Sequence, residues 1–288
     1  MKSVLILGST GLLGSTLSRE LSAFESWQTV RTSRNGDIGV KFNPLDDEFE
    51  TLFQSINPDY IINCLGTVKQ RILSSDVNQY SVLKVNTILP HEIVSVCEKY
   101  GSKLIQIGTD CVYSGETGKY DEYSAHDAQD LYGKSKSLGE PTSPNFMMLR
   151  SSFVGPEVVN KLSFYEWVNN YPLDTPIYGY TNHLWNGVAA TTIAKVLSGI
   201  LRKDGFVSGN HHLVPADVVT KLELMKLVIS ITGRCDLTPI PRASELSVDR
   251  TLATHNSDFN EFLWSLAGWQ RLPTVQETLE QIDISQIS

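Results

Sequence analysis

The sequence predicts an α/β fold in which a doubly wound parallel sheet is joined to a smaller C-terminal lobe. Short apolar runs alternate along the chain with amphipathic stretches of helical period. Some of these runs, such as 4–7, are apolar throughout, as in strands that are buried on both faces of a sheet, whereas 28–31 is a weaker candidate. The alternation stops after about Gly155, where prolines and a cluster of aromatic residues interrupt it. Strand and helix in regular succession indicate a parallel sheet, and the change of pattern indicates the second lobe.

The strands and helices follow in order. Five strands are predicted at 4–7, 28–31, 60–65, 103–107 and 146–149, and helices at 12–21, 85–100 and 188–203. Pro90 lies inside the second helical stretch, so we expect a kink or a break there. From Leu213 onward, short helices are expected among proline-rich loops. His211 and His212 have no third ligand at a useful spacing, which favours a strand end or turn over a metal site.

Composition excludes several classes of protein. The 288 residues contain 24 Lys and Arg against 32 Asp and Glu, a formal charge of −8, which argues against duplex DNA or an anionic membrane as the main partner. No apolar run approaches the ~20 residues that a membrane-spanning helix needs. The start of the chain lacks the features of a signal peptide.

The four cysteines are Cys64, Cys97, Cys111 and Cys235, far apart and without a CxxC pair. This pattern favours a reduced, cytoplasmic protein over a disulfide framework or a structural zinc site.

A glycine loop follows the first strand and opens the first helix. Gly8, Gly11 and Gly14 are spaced as GxxGxxG. Glycines let the backbone turn tightly and approach a pyrophosphate, whose charge the helix N-terminus stabilises. An ordinary strand-to-helix turn is the alternative, but at the first strand of an alternating chain the loop indicates dinucleotide binding. We therefore expect a Rossmann-type domain at 1–155, to which 186–212 returns, and a substrate-binding lobe made of 156–185 and 213–288.

The end of the second strand bears on the choice of cofactor. NAD-binding proteins usually place an acidic residue about 20 residues beyond the glycine motif. Here the segment 30–35 has no acid but carries Ser33 and Arg34. Arg34 could pair with a 2′-phosphate and Ser33 could donate to it, so NADP(H) is favoured over NAD(H). The alternative is a solvated surface loop.

Tyr132 and Lys136 have a YxxxK spacing, which places them on one face of a helix. An ammonium there would stabilise a tyrosinate and lower the phenol pKa, and the tyrosine could then exchange a proton with a substrate oxygen. The spacing alone is common by chance. Thr109, however, follows the strand at 103–107, at the edge of a parallel sheet where ligands bind, and could hydrogen-bond the same oxygen.

Together these motifs resemble the extended short-chain dehydrogenase/reductases, in particular the dTDP-4-dehydrorhamnose reductases. The resemblance covers residues 1 to about 155 and includes the segment Arg150 to Gly155. The segments that carry it are the glycine loop, Asn63-Cys64-Leu65-Gly66, Val85-Asn86, Gly108-Thr109-Asp110-Cys111-Val112-Tyr113 and Tyr132 to Glu140.

The resemblance implies roles for individual residues. Tyr132 would be the general acid, Lys136 would lower its pKa and hold the nicotinamide ribose, and Thr109 would orient the carbonyl. The amides of Gly11, Leu12 and Leu13 would meet the pyrophosphate. The full set implied to contact the cofactor is Gly8, Thr10, Gly11, Leu12, Leu13, Gly14, Ser33, Arg34, Asn43, Cys64, Leu65, Gly66, Asn86, Tyr132 and Lys136. The set expected to contact substrate is Thr109, Asp110, Cys111, Phe153, Asn182 and Trp185.

The implied reaction is NADPH-dependent reduction of the 4-keto group of a nucleotide-linked 4-keto-6-deoxysugar, as in deoxysugar and polysaccharide biosynthesis. Dehydratases of this superfamily carry Thr-Asp-Glu where this chain has Thr109-Asp110-Cys111, which argues against dehydration. Two alternatives stay open. One is an epimerase-reductase of the GDP-fucose-synthase type that uses Cys111 as a base, although packing is the more ordinary role for that thiol. The other is a non-catalytic NADP-binding regulatory subunit. The family also suggests a homodimer.

Overall fold

The computed structural model describes residues 1–74, 77–159 and 161–283. Its strands are β1 (Lys2–Leu7), β2 (Trp27–Ser33), β3 (Val40–Lys41), β4 (Tyr60–Asn63), β5 (Lys103–Gly108), β6 (Phe146–Arg150), β7 (Phe153–Val154), β8 (Tyr178–Tyr180), β9 (His183–Trp185), β10 (Val188–Ala189), β11 (Gly209–His212), β12 (Val219–Thr220), β13 (Ile240–Arg242) and β14 (Val248–Asp249). Its α-helices are α1 (Leu12–Ser22), α2 (Phe49–Ile56), α3 (Lys69–Leu73), α4 (Gln79–Leu83), α5 (Leu89–Tyr100), α6 (Leu131–Leu138), α7 (Phe164–Asn169), α8 (Ala190–Lys203), α9 (Lys221–Thr232), α10 (Ser257–Leu266) and α11 (Val275–Leu279).

A parallel sheet of seven strands forms the centre of the fold, in the order β11-β6-β5-β4-β1-β2-β3. The chain runs outward from β1 in one direction and then from β4 in the other, so the sheet is doubly wound. The prediction of a Rossmann-type sheet is confirmed. The order reverses between β1 and β4, and ligands of such sheets bind at the carboxyl ends of the strands beside that reversal.

Apolar layers cover both faces of the sheet. One layer joins the sheet to α1, α8 and α10, and the other joins it to α2 and α5. β1 shows why: Val4 and Ile6 enter the first layer while Leu5 and Leu7 enter the second, because successive side chains of a strand point to opposite faces. A third apolar cluster lies in the C-terminal part and joins α7, α9 and α11.

Two local features differ from the predicted helices. The stretch predicted at 85–100 is a π-helical turn, Lys84–Ile88, followed by α5 with Pro90 in its first turn. The Leu89 amide donates to the Lys84 carbonyl in the π-helical pattern, and the next residue, Pro90, has no N–H that would need an acceptor. In addition, Leu263, Trp264 and Leu266 of α10 pack in the sheet-side layer. The prediction had assigned all of 213–288 to the substrate lobe.

Within the described residues, no helix is both long and apolar enough to cross a membrane. In the same part of the chain, no group of three or more His, Cys, Asp or Glu side chains is arranged to hold a metal ion. His211 and His212 lie on β11, beside β6.

Candidate active site

Thr109 lies at the carboxyl end of β5. It is the N-cap of the 3₁₀ turn Asp110–Val112, and its hydroxyl accepts the Cys111 amide proton at 3.1 Å. The same hydroxyl donates to the Asp110 carboxylate at 3.2 Å. These two bonds fix the hydroxyl at the edge of the sheet, and the half-buried side chain stays open to a ligand.

Helix α6 brings Tyr132 and Lys136 to the same edge. Lys136 is 9% exposed, and its Nζ donates to the Ile107 carbonyl of β5 at 3.4 Å. The Tyr132 phenol, one helical turn away, interacts with the Thr109 hydroxyl. The structure thus brings together all three residues that the sequence analysis placed in the catalytic group.

Small residues allow α6 to lie close to the turn that carries Thr109. A Cβ on Gly133 would collide with the Cys111 carbonyl and the Ala128 side chain, and one on Gly139 would collide with the Asn86 carbonyl. Ser135 is fully buried between them and donates to the Tyr132 carbonyl at 2.8 Å. These positions allow α6 to pack directly on the turn that carries Thr109.

Asn86 lies in the π-helical turn, and its side chain hydrogen-bonds both the loop after β4 and helix α6. Its Oδ1 accepts the Thr67 amide at 2.8 Å, and its Nδ2 donates to the Thr67 carbonyl and the Ser135 hydroxyl, each at 3.0 Å. Because its polar atoms are used within the protein, Asn86 holds the loop after β4 against α6. A Cβ on Gly66 in that loop would lie 4.0 Å from Lys136 Nζ, so the loop adjoins the lysine side chain.

The charge states of Tyr132 and Lys136 follow from burial. Burial raises the pKa of Tyr132, Cys111 and Asp110 raise it further, and the Thr109 hydroxyl lowers it. This differs from the expectation that Lys136 lowers the phenol pKa, because desolvation outweighs any opposing charge here. Burial also lowers the pKa of Lys136. A phenol that is protonated at neutral pH is the form required for donating a proton to a carbonyl oxygen.

Cys111 is poorly suited to act as a base. Burial, and then the neighbouring Asp110 carboxylate, raise the pKa of its thiol to about 12. The thiolate is the reactive form of cysteine, and such a thiol is almost fully protonated at neutral pH.

The glycine loop fits a bound pyrophosphate. Gly8 has a φ of +76°, a conformation that glycine adopts readily. Gly11 is the N-cap of α1 and offers no capping side chain, and the first turn of α1 has no acidic residue. The amides of Leu12 and Leu13 are therefore free to meet an anion. The Gly11 amide is also expected to meet the pyrophosphate. In the structure it instead donates to the Gly8 carbonyl at 3.1 Å within the tight turn.

An acidic residue, Asp37, lies beside Ser33, although the segment 30–35 itself contains no acidic residue. The Ser33 hydroxyl donates to Asp37 at 2.6 Å, and this bond holds the pKa of Asp37 low. The expectation that Ser33 donates to a 2′-phosphate therefore does not hold in this arrangement, since its proton is already used. Arg34 is exposed and has no hydrogen-bond partner among the described residues.

Three other expected contact residues are engaged within the protein. Asn43 forms a turn with Asp46 and Asp47 after β3. Asn182 bonds in both directions to the backbone of Ser244, which ties it to a loop rather than to the catalytic group. The remaining expected residue on β7, Phe153, is half-buried against the sheet-side layer.

Lys221 is a residue that the sequence analysis missed. Its ammonium lies 5.0 Å from the Trp185 ring centre and 5.3 Å from that of Phe164. Burial lowers its pKa to about 8, while Asp110 and Cys111 raise it. The start of α9 thus presents a cation to Asp110 and Cys111 in the segment after β5. A signal existed, because Thr220 and Glu223 form a capping box that starts α9 at Lys221, where the helix dipole disfavours a cation.

Comparison with known proteins agrees with this geometry. Residues 1–283 match the model of the family described as RmlD substrate binding domain. The probable low-salt glycan biosynthesis reductase Agl14 of Haloferax volcanii is 25% identical over 264 residues, 86% of each chain. Methionine adenosyltransferase 2 subunit beta of Danio rerio is 32% identical over 143 residues, 48% of this chain and 42% of that protein.

The fold is shared with solved structures as well. The dTDP-4-dehydrorhamnose reductase of Bacillus anthracis, solved with NADP, superposes with a TM-score of 0.79 at 19% identity, covering 99% of each chain. The family match spans both the sheet and the C-terminal lobe. The chain therefore belongs to the RmlD substrate binding domain family, in the extended short-chain dehydrogenase/reductase class of oxidoreductases.

Proposed function

We propose that this protein uses NADPH to reduce the 4-keto group of a nucleotide-linked 4-keto-6-deoxysugar. The observation that carries the proposal is the convergence of Thr109, Tyr132 and Lys136 at the end of β5, beside a glycine loop with free amides. The names of the Haloferax reductase and the Bacillus reductase point to the same chemistry.

In this mechanism the dinucleotide supplies the hydride when bound. Tyr132 donates its phenolic proton to the carbonyl oxygen as negative charge develops there. The Thr109 hydroxyl orients the same oxygen, and the Leu12 and Leu13 amides bind the pyrophosphate. Lys136 would bind the ribose of the nicotinamide half of the cofactor. Lys221 and the ring of Trp185 form the wall of the site on the side of the proposed substrate lobe.

The direct test is oxidation of NADPH, with NADH in parallel, against freshly prepared 4-keto-6-deoxyhexoses linked to dTDP, GDP, UDP or CDP. Turnover on one of them supports the proposal and identifies the nucleotide. Tight NADPH binding without turnover of any of the four sugar nucleotides contradicts the proposal.

Cofactor choice is tested at Arg34. We expect Arg34→Ala to raise the KM for NADPH by about tenfold, because a bidentate pair with the 2′-phosphate is lost, and to leave the KM for NADH within about twofold. Arg19→Ala, which removes an arginine from α1, is the control. Equal changes for both cofactors would show that Arg34 does not select for the 2′-phosphate.

The epimerase alternative is tested at Cys111. Because burial raises the pKa of this thiol to about 12, Cys111→Ser is expected to leave the configuration of the product unchanged. Proton NMR of the product, made in deuterated water, measures both configuration and exchange next to the carbonyl. Deuterium incorporation that the serine variant abolishes would restore the epimerase-reductase assignment.

A second candidate function is that of a non-catalytic subunit. It is favoured by the similarity to methionine adenosyltransferase 2 subunit beta, which covers only 48% of this chain. Such a subunit would bind the cofactor without turnover, so the substrate panel separates the two candidates.

A further inference from the structure

A buried arginine and two histidines meet at the carboxyl end of the central sheet. Arg150 ends β6 and is fully buried, and His212, which is 1% exposed, lies opposite it on the neighbouring strand β11. Arg150 Nη1 lies 2.7 Å from His212 Nε2, and its Nη2 lies 3.2 Å from His126 Nε2. Both oxygens of the Glu140 carboxylate lie 2.6 Å from Nη2. The arginine thus depends on the lone pairs of imidazole rings as well as on a carboxylate.

The partners of His212 determine which of its ring nitrogens carries the proton. A guanidinium has donors only, so His212 Nε2 accepts the hydrogen bond from Arg150. A carbonyl oxygen can only accept, so Nδ1 carries the proton and donates to the Ala253 carbonyl at 2.8 Å. Both ring nitrogens are therefore used, and the ring in this arrangement is neutral.

His212 connects the sheet to the segment 251–255, which follows β14. Its ring makes the bond to Ala253 in the middle of that segment. Glu122, in the loop after β5, strengthens the connection, because its carboxylate accepts from the His212 amide at 3.1 Å and from the Thr254 hydroxyl at 2.6 Å. The segment is thus attached both to β11 and to the loop after β5.

Protonation of the His212 ring is incompatible with these bonds. A charged imidazole carries a proton on each nitrogen and cannot accept from a guanidinium. Two positive charges would also face each other across the 2.7 Å between His212 Nε2 and Arg150 Nη1, away from water. We propose that His212 is an acid-sensitive link between the central sheet and the segment 251–255, which holds only while the imidazole is neutral.

The link reaches the candidate site through Arg150. Its Nη1 also donates to the Tyr113 hydroxyl at 3.2 Å. The Tyr113 amide in turn donates to the Asp110 carbonyl at 3.1 Å and closes the turn that begins at Thr109. A displacement of Arg150 on protonation of His212 would therefore remove a support of this turn.

The charged groups around His212 act in both directions. Arg150 opposes its protonation, whereas Glu122 and Asp121, in the loop after β5, favour it. Burial is the largest influence and acts with Arg150, so the pKa of His212 falls from its ordinary value of 6.5 to about 4. Between these two values the unfolded chain binds one proton more than the folded protein, so stability falls as the pH falls.

The first experiment compares the parent with His212→Gln, whose side-chain oxygen can still accept from Arg150 but which takes up no proton. Unfolding in urea is measured between about pH 6 and pH 4.5, within the range where the two states differ in bound protons. The ratio of the unfolding constant of the parent to that of the variant should rise about tenfold for each pH unit of acidification, because one proton is involved. His91→Gln, which removes an exposed imidazole from α5, is the control and should follow the parent.

NMR measures the ring itself. The side-chain ¹⁵N resonances of His212 are assigned by their loss in His212→Gln, or in His212→Asn if the first variant does not fold. At about pH 5 they should still show a neutral ring with its proton on Nδ1. On further acidification the Ala253 amide, which donates to the Tyr120 carbonyl at 2.8 Å, should lose its protection from hydrogen exchange before the amides of β1 do.

A His212 ring that titrates near its ordinary pKa of 6.5 in the folded protein would overturn the inference. Unfolding constants of parent and His212→Gln that change in parallel with pH would do the same. Simultaneous loss of protection at Ala253 and in β1 would also contradict the link, because it indicates global unfolding rather than release of the segment 251–255. These measurements use no substrate, so their outcome is independent of the proposed function.

Discussion

Replacing Tyr132 with phenylalanine is expected to lower kcat by about 10²- to 10⁴-fold, the usual contribution of a general acid. The phenol interacts with Thr109 at the end of β5, and burial keeps it protonated at neutral pH. Phenylalanine keeps the ring and its packing, so the substitution removes the proton and little else. Binding of NADPH, measured by its fluorescence, should stay within about twofold of the parent, because Tyr132 acts on the substrate carbonyl.

The matched control is Tyr123→Phe, which removes a hydroxyl from a tyrosine that is 82% exposed. Its kcat should equal that of the parent. Unchanged activity in Tyr132→Phe would remove the tyrosine from the mechanism. A rise in KM with kcat preserved would instead show a binding role, since proton donation is needed only in the transition state.

The sheet could be predicted from the sequence because its strands carry their own signal. β1 and β4 each contain a continuous apolar run, residues 4–7 and 60–62, as buried parallel strands do, and the glycine loop marks where the first of them ends. For the π-helical turn at Lys84–Ile88 the only signal was Pro90, which predicts a kink or a break but not its kind, because a π-helical turn differs from an α-helix in the hydrogen-bond pattern of its backbone. The packing of α10 on the sheet depends on distant contacts that no local pattern encodes.

The position of the candidate site could be predicted for a related reason. Thr109 follows a recognisable strand, and Tyr132 and Lys136 are one helical turn apart, so local rules place all three at one edge. Residues from distant parts of the chain could not be predicted in the same way. Lys221, at the start of α9, interacts electrostatically with Asp110 and Cys111, and Asp37 comes to Ser33 through a turn after β2.

Burial reversed one electrostatic expectation. The i, i+4 spacing of Tyr132 and Lys136 puts both residues on one face of α6, but it says nothing of how far both are removed from water. In the folded protein desolvation is the largest influence on each pKa, upward for the tyrosine and downward for the lysine. The proposed mechanism accordingly uses a protonated phenol that donates a proton.

The glycine loop offers the second large effect. Gly14→Ala is expected to destabilise the protein by about 3 kcal/mol, near the upper end for overpacking, and to abolish cofactor binding. The new Cβ would collide with the Gly8 carbonyl oxygen and would lie 2.9 Å from the Ser9 Cα, both of them backbone atoms that cannot rotate away. The usual gain of about 1 kcal/mol from alanine inside a helix is too small to compensate. Urea unfolding and NADPH titration measure the two consequences.

The Gly11→Ala variant tests whether the loop contacts the cofactor, because it should leave the packing of the loop itself intact. Its Cβ would meet only the Gly8 carbonyl oxygen, at an ordinary 3.5 Å, and the φ of −75° suits alanine. Stability should therefore stay within about 0.5 kcal/mol of the parent. Affinity for NADPH should nevertheless fall by about tenfold or more, because a methyl group there obstructs the pyrophosphate. If Gly11→Ala binds NADPH as tightly as the parent, the pyrophosphate does not lie against this turn, and the cofactor site must be sought elsewhere along the sheet edge.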